Sequence, residues 1–128
     1  MTRILVIDDE EDVCEALRLI LEQHGYAVMC ASNGRVALDA HRTEPFDLVI
    51  TDLLMPEPDG IEVIMDLRRL SPEVKIIAIS GGGQMGLYGL LLVAKKLGAQ
   101  RALMKPFALS DLLAAVQEVL AEPDCNAG

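Results

Sequence analysis

Residues 4–9 read Ile4-Leu5-Val6-Ile7-Asp8-Asp9: four aliphatic residues that stop at two carboxylates. A short, unbroken apolar run of this kind suits a strand buried on both faces. The pattern returns along the chain. Leu48-Val49-Ile50-Thr51 runs into Asp52, and Ile76-Ile77-Ala78-Ile79 runs into Ser80. A weaker run, Ala102-Leu103-Met104, stops at Lys105-Pro106. If these runs are neighbouring parallel strands, their carboxyl ends share one rim, and open α/β sheets bind ligands on that rim. Three carboxylates, a hydroxyl and an ammonium then meet in one pocket. Such a set can hold a divalent cation and accept a phosphoryl group.

Helical periods fill the spaces between the runs. A first helix is expected from about Glu10, with Val13, Ala16, Leu17, Ile20 and Leu21 on one face. Gly25 stops it, and His24 in its last turn suits the negative end of the helix dipole. A second strand is read over Ala27 to Ala31, then a turn at Ser32-Asn33-Gly34 and a short helix through Val36, Ala37 and Ala40 that ends by Pro45. The third strand leads into Met55-Pro56-Glu57-Pro58-Asp59-Gly60, which is rich in turn residues. Helix three carries Ile61, Ile64, Met65 and Leu67 before Ser71-Pro72. Strand four is read over Val74 to Ile79, helix four over Met85 to Leu97, strand five over Arg101 to Met104, and helix five over Leu109 to Leu120. Five such units in strict alternation predict an α/β fold: a flavodoxin-like (βα)5, doubly wound parallel sheet with strand order 2-1-3-4-5. Residues 1–121 are read as one domain and residues 122–128 as a flexible C-terminal tail.

Composition narrows the class. The 128 residues suit one core, and 52% are hydrophobic while only 3% are aromatic, so aliphatic side chains and Met must fill it. A net charge of −9 argues against direct binding to nucleic acid or to an anionic membrane. Cys14, Cys30 and Cys125 are scattered, with no metal-ligand spacing, and read as reduced thiols of a cytoplasmic protein. The start, Met1-Thr2-Arg3, leads directly into a run of strand length rather than a signal peptide. No apolar stretch approaches the roughly 20 residues that span a bilayer.

Each strand-end residue has a plain structural reading. Asp8-Asp9 alone is an acidic turn ahead of a helix; Asp52 and Ser80 alone are turn caps; Lys105 alone is a solvated cation. Their joint placement at strand ends favours a site. Adjacent carboxylates raise one another's pKa unless a cation sits between them. Asp52 is placed to act as a carboxylate nucleophile, with metal to neutralise phosphoryl oxygens, Ser80 to donate to one oxygen and Lys105 to pair with another.

Asp8-Asp9, Asp52 followed by Met55-Pro56 and Asp59-Gly60, Ser80, Leu97-Gly98-Ala99 and Lys105-Pro106-Phe107 occur here in a specific order and spacing. In these the chain resembles the receiver domain of two-component response regulators, over about Arg3 to Leu120. The resemblance implies that Asp52 takes a phosphoryl group from a sensor histidine kinase or a histidine phosphotransfer protein. It implies Mg²⁺ held by Asp9 directly, by Asp8 largely through water, and by the Asp52 carboxylate and the Leu54 carbonyl. It implies that Ser80 moves toward the phosphoryl group, that Lys105 holds it, and that the Lys105-Pro106 peptide is cis. Such a domain is a phosphoacceptor rather than an enzyme with a separate substrate. It is expected to be a monomer or weak dimer that signals through the loop after strand four and the face of helix four, strand five and helix five.

The chain departs from the receiver pattern at Ala102, where receivers usually carry Tyr or Phe as a rotameric switch. That leaves a phosphate-independent docking module as the alternative. Apolar Leu54 also stands two residues after Asp52. A phosphatase built on an aspartyl-phosphate would usually place a second Asp there, so leaving-group protonation has no candidate. Gly81-Gly82-Gly83-Gln84-Met85-Gly86 matches a dinucleotide-binding glycine pattern, but it follows the fourth strand and lacks the later acidic residue. In helix four, Leu87, Leu90, Leu91, Ala94 and Leu97 form the expected buried stripe. Tyr88 and Leu92 fall on another face, which suggests an output surface reached through the Gly81–Gly83 loop.

Overall fold

The computed structural model describes residues 1–53, 60–80 and 86–122, with the side chains at 87, 88, 90 and 91 outside that description. Its elements are β1 (Arg3–Ile7), α1 (Glu11–Gln23), β2 (Ala27–Ala31), α2 (Gly34–Thr43), β3 (Leu48–Asp52), α3 (Gly60–Leu70), β4 (Lys75–Ser80), α4 (Gly86–Leu97), β5 (Arg101–Met104) and α5 (Leu109–Ala121). The five strands form one sheet in the order β2-β1-β3-β4-β5. Every pairing is parallel. The expected architecture is therefore the observed one. The tail at 123–128 and the turn at 54–59 lie outside the described residues.

The aliphatic runs make the sheet because each strand must bury both faces. Side chains alternate across a strand, so consecutive residues serve different layers. Ile4 and Val6 of β1, Leu48 and Ile50 of β3, and Ile77 and Ile79 of β4 pack with α1 and α5 through Cys14, Leu17, Leu21, Leu112, Val116 and Val119. Leu5 and Ile7, Val49, and Ile76 and Ala78 face the other way. They meet α2, α3 and α4 through Ala37, Val63, Ile64, Leu67 and Ala94. All five residues of β3 are buried, which makes it the centre of the sheet and of both layers.

Two helix faces differ from the expected ones. On α1 the buried line is Cys14, Leu17 and Leu21, while Ala16 is exposed. The thiol of Cys14 behaves as a small apolar group, and it reaches the Asp8 carbonyl at 3.5 Å, turning the helix toward the sheet along that line. On α3, Val63 is buried with Ile64 and Leu67, and Met65 is 46% exposed. The ends of the helices follow local chemistry. Asn33 caps α2 by accepting the Val36 N–H at 3.0 Å. Gly25 and Gly98 follow α1 and α4 with φ of +90° and +83°, a region that other residues enter only with strain. His24 Nδ1–H donates to the Ile20 carbonyl at 3.0 Å, one of the last carbonyls of α1. Among the described residues no helix is long and apolar enough to cross a membrane.

Candidate functional site at the carboxyl ends of the strands

Register brings the strand ends together. Ile7 pairs with Thr51, so the residues that follow them, Asp8 and Asp52, emerge side by side. Asp52 pairs with Ile79, which places Ser80 next along the rim, and Ser80 pairs with Met104, just before Lys105. Backbone bonds continue the sheet past its formal ends: Asp8 N–H to Ala31 O at 3.1 Å, Leu53 N–H to Ile79 O at 2.7 Å, and Lys105 N–H to Ser80 O at 2.7 Å. The Lys105–Pro106 peptide is cis.

The side chains converge. Lys105 Nζ donates to Asp8 Oδ2 at 2.9 Å, to Asp52 Oδ2 at 2.9 Å and to Glu10 Oε1 at 3.0 Å. Asp8 Oδ1 accepts the Glu10 N–H at 2.9 Å. Asp8, Asp52 and Ser80 are buried, and Asp9 and Glu10 are exposed. Ligand oxygens of Asp8, Glu10 and Asp52 all lie within 4.8 Å of one another. Asp9 lies outside that trio, and Leu54 lies outside the described residues. Glu10 is the residue that sequence reasoning left out of the site. Its carboxylate sits two positions beyond Asp8, where the chain turns into α1, and only the Lys105 contact reveals its inward course.

Electrostatics follow from burial. Desolvation raises the Asp8 carboxyl above its ordinary 3.8 and outweighs the stabilising bonds from Glu10 N–H and Lys105, while the charge on Asp52 adds to the rise. Burial also opposes the charge on Lys105. Its bonds to Asp52, Asp8 and Glu10 overcome that and raise its pKa. The Cys14 thiol beneath Asp8 is pushed up to about 12, chiefly by burial, so it remains a protonated donor to the Asp8 carbonyl. Converging carboxylate oxygens are the donors that a hard divalent cation takes. The donor set therefore fits Mg²⁺. A cavity of about 660 Å³ opens at the amino ends of the strands, beside Phe46, Lys75 and Leu120, and none of these groups lines it. Chemistry, rather than volume, marks the site.

Residues 4–117 match the family described as response regulator receiver domain. The chain belongs to that family. It is similar to the response regulator MprA of Mycolicibacterium vanbaalenii, with 39% identity over 98% of this chain and 54% of that protein. The receiver thus spans about half the length of that relative. It is also similar to the response regulator receiver protein CpdR of Brucella abortus, with 35% identity over 94% of this chain and 98% of that one. Among solved structures it resembles the response regulator protein TrrA of Thermotoga maritima in complex with Mg²⁺ and beryllofluoride. There the TM-score is 0.80 and the identity 32%, over 93% of this chain and 99% of that one. The acidic pocket of Asp8, Glu10 and Asp52 fits the phosphoacceptor site of such a receiver domain.

Proposed function

We propose that this receiver takes a phosphoryl group on Asp52 from a phosphohistidine of a sensor histidine kinase or a histidine phosphotransfer protein. One observation carries the reading. The Asp52 carboxylate stands at the end of the central strand, is 4% exposed, and is paired with Lys105 Nζ at 2.9 Å beside Asp8. In the transfer, an Asp52 oxygen forms the new bond to phosphorus. The P–N bond to the imidazole breaks, and its electron pair stays on the imidazole nitrogen. Lys105 shifts its bond from the carboxylate to a phosphoryl oxygen, and Ser80 donates to another from the neighbouring strand end. Asp8, Asp9, Asp52 and the Leu54 carbonyl are the proposed ligands of Mg²⁺. When bound, Mg²⁺ supplies charge neutralisation at the phosphoryl oxygens. That TrrA, a structure this chain resembles, is a complex with Mg²⁺ and beryllofluoride supports a Mg²⁺ site in this receiver.

The proposed output runs through α4, β5 and α5. Leu92 of α4 is 47% exposed. A groove of about 420 Å³ lies between the end of α4 and β5, lined by Ala94, Lys95, Ala99, Arg101 and Ala102 among others. With Ala102 in place of an aromatic switch, the signal is carried by the loop ahead of α4; residues 81–85 and the Tyr88 side chain lie outside the described residues. The receiver acts as a cytoplasmic phosphoacceptor, a monomer or weak dimer, without direct contact to nucleic acid or membrane. The test is incubation with acetyl phosphate and Mg²⁺, followed by intact mass. One added phosphoryl group is expected in the parent chain and none in Asp52→Asn; undiminished labelling of the variant would reject Asp52 as acceptor.

A further inference from the structure

We infer that Glu10 is a positioning residue, a tether that holds the Lys105 ammonium at the mouth of the site when Asp8 is given over to a cation. This rests on the reading of the strand-end acids as a cation-dependent phosphoacceptor site. An ammonium has three donors, and Lys105 places one on each of three carboxylates. The three partners are unequal. The side chains of Asp8 and Asp52 are 2% and 6% exposed, whereas that of Glu10 is 62% exposed at the rim. The Lys105 side chain itself is only 18% exposed, so its charge needs a partner wherever it goes.

One Asp8 oxygen accepts the Glu10 N–H and the other the Lys105 ammonium, both at 2.9 Å, so a divalent cation, which also repels the ammonium, competes with Lys105 for Asp8. Lys105 must release Asp8 for that carboxylate to serve as a ligand, yet it must stay near Asp52 to meet the phosphoryl group. Glu10 lets it do both. Its place at the start of α1 does not explain its side chain: Glu10 is the N-cap residue, and its carboxylate makes no capping bond. That carboxylate is spent instead on a lysine 95 positions along the chain. Its backbone N–H is meanwhile fixed to Asp8 Oδ1, which keeps the tether beside the acid that must be vacated.

The test follows the side-chain ammonium of Lys105 by NMR as Mg²⁺ is added to saturation without any phosphodonor. In the parent chain the ammonium should stay protected from exchange with water before and after saturation. In Glu10→Ala it should be protected before, and exchange about 2–5-fold faster after, which is the worth of one partly exposed charge pair. Glu11→Ala, which removes a neighbouring exposed charge, should behave as the parent chain and controls for bulk charge. Equal protection in Glu10→Ala, or equal loss in Glu11→Ala, overturns the inference. Failure of the underlying reading looks different: Mg²⁺ would then leave the amide shifts of residues 8–10 and 52 unmoved in the parent chain.

Discussion

Asp8→Asn should stabilise the fold while weakening the site. Asp8 is 2% exposed, and burial raises its pKa above 3.8 despite the bonds from Glu10 N–H and Lys105. A raised carboxyl contributes stability that is full below its unfolded pKa and lost as the pH rises through its folded one, so at neutral pH its charge is a net cost. The amide of the variant has the same shape and keeps an oxygen for the Glu10 N–H, now at 2.9 Å. It gives up a charged hydrogen bond from Lys105, worth about 1.5–3 kcal/mol. Lys105 retains Asp52 and Glu10 at 2.9 and 3.0 Å, which limits that loss. The variant also removes a buried charge whose desolvation costs several kcal/mol even after relaxation. The balance favours the variant by on the order of 1 kcal/mol, or about 3–6 °C in Tm for a domain of this size. Urea unfolding followed by circular dichroism reads it directly. The gap between the two proteins should narrow as the pH falls toward 3.8, where protonation neutralises the parent carboxyl as well. A variant less stable than the parent at neutral pH, or a gap that widens on acidification, refutes the reasoning.

Three more outcomes follow from the same structure. His41 accepts the Phe46 N–H on Nδ1 at 3.1 Å and donates Nε2–H to Ser71 Oγ at 2.8 Å, and burial lowers its pKa below 6.5. Its contribution is present above 6.5 and lost as the pH falls through its folded value. The unfolding free energy should therefore drop as the pH falls from 6.5 to that folded value, by up to about 1.4 kcal/mol per unit, and His41→Gln should flatten the profile over that window. Gly98→Ala should cost about 1–2 kcal/mol in a thermal melt, because φ is +83° and the new Cβ would lie 3.3 Å from Arg68 Nε. Asp9→Ala should abolish labelling by acetyl phosphate at limiting Mg²⁺; unchanged rates would reduce Asp9 to a turn residue.

The sheet was legible because its signal is redundant. Four aliphatic runs that stop at polar or turn residues, a fifth apolar strand over Ala27 to Ala31, and the helical periods between them leave little choice of strand order. The rim was legible for the same reason: a strand end is a place in the fold as well as a place in the sequence. Helix faces were less so. Cys14 carried no apolar mark in the reading, and Met65 did, yet Cys14 is buried and Met65 exposed. A one-residue rotation of a helix is decided by packing against the sheet, which periodicity alone does not resolve. His41 was invisible because its partners, Phe46 and Ser71, lie in two other segments. Glu10 carried no site mark because in the sequence it reads as the start of the first helix. The turn into α1 brings its carboxylate to 3.0 Å from Lys105 Nζ, a contact 95 positions away along the chain.

The central claim is that Asp52, and no neighbouring acid, is the phosphoryl acceptor. Borohydride reduces an aspartyl phosphate to homoserine, leaving a permanent mark at the acceptor. The receiver should be loaded with acetyl phosphate and Mg²⁺, reduced, digested and mapped by peptide mass. The account predicts homoserine at position 52 alone, and none when Mg²⁺ is withheld. Homoserine at position 8, 9 or 10 would contradict it.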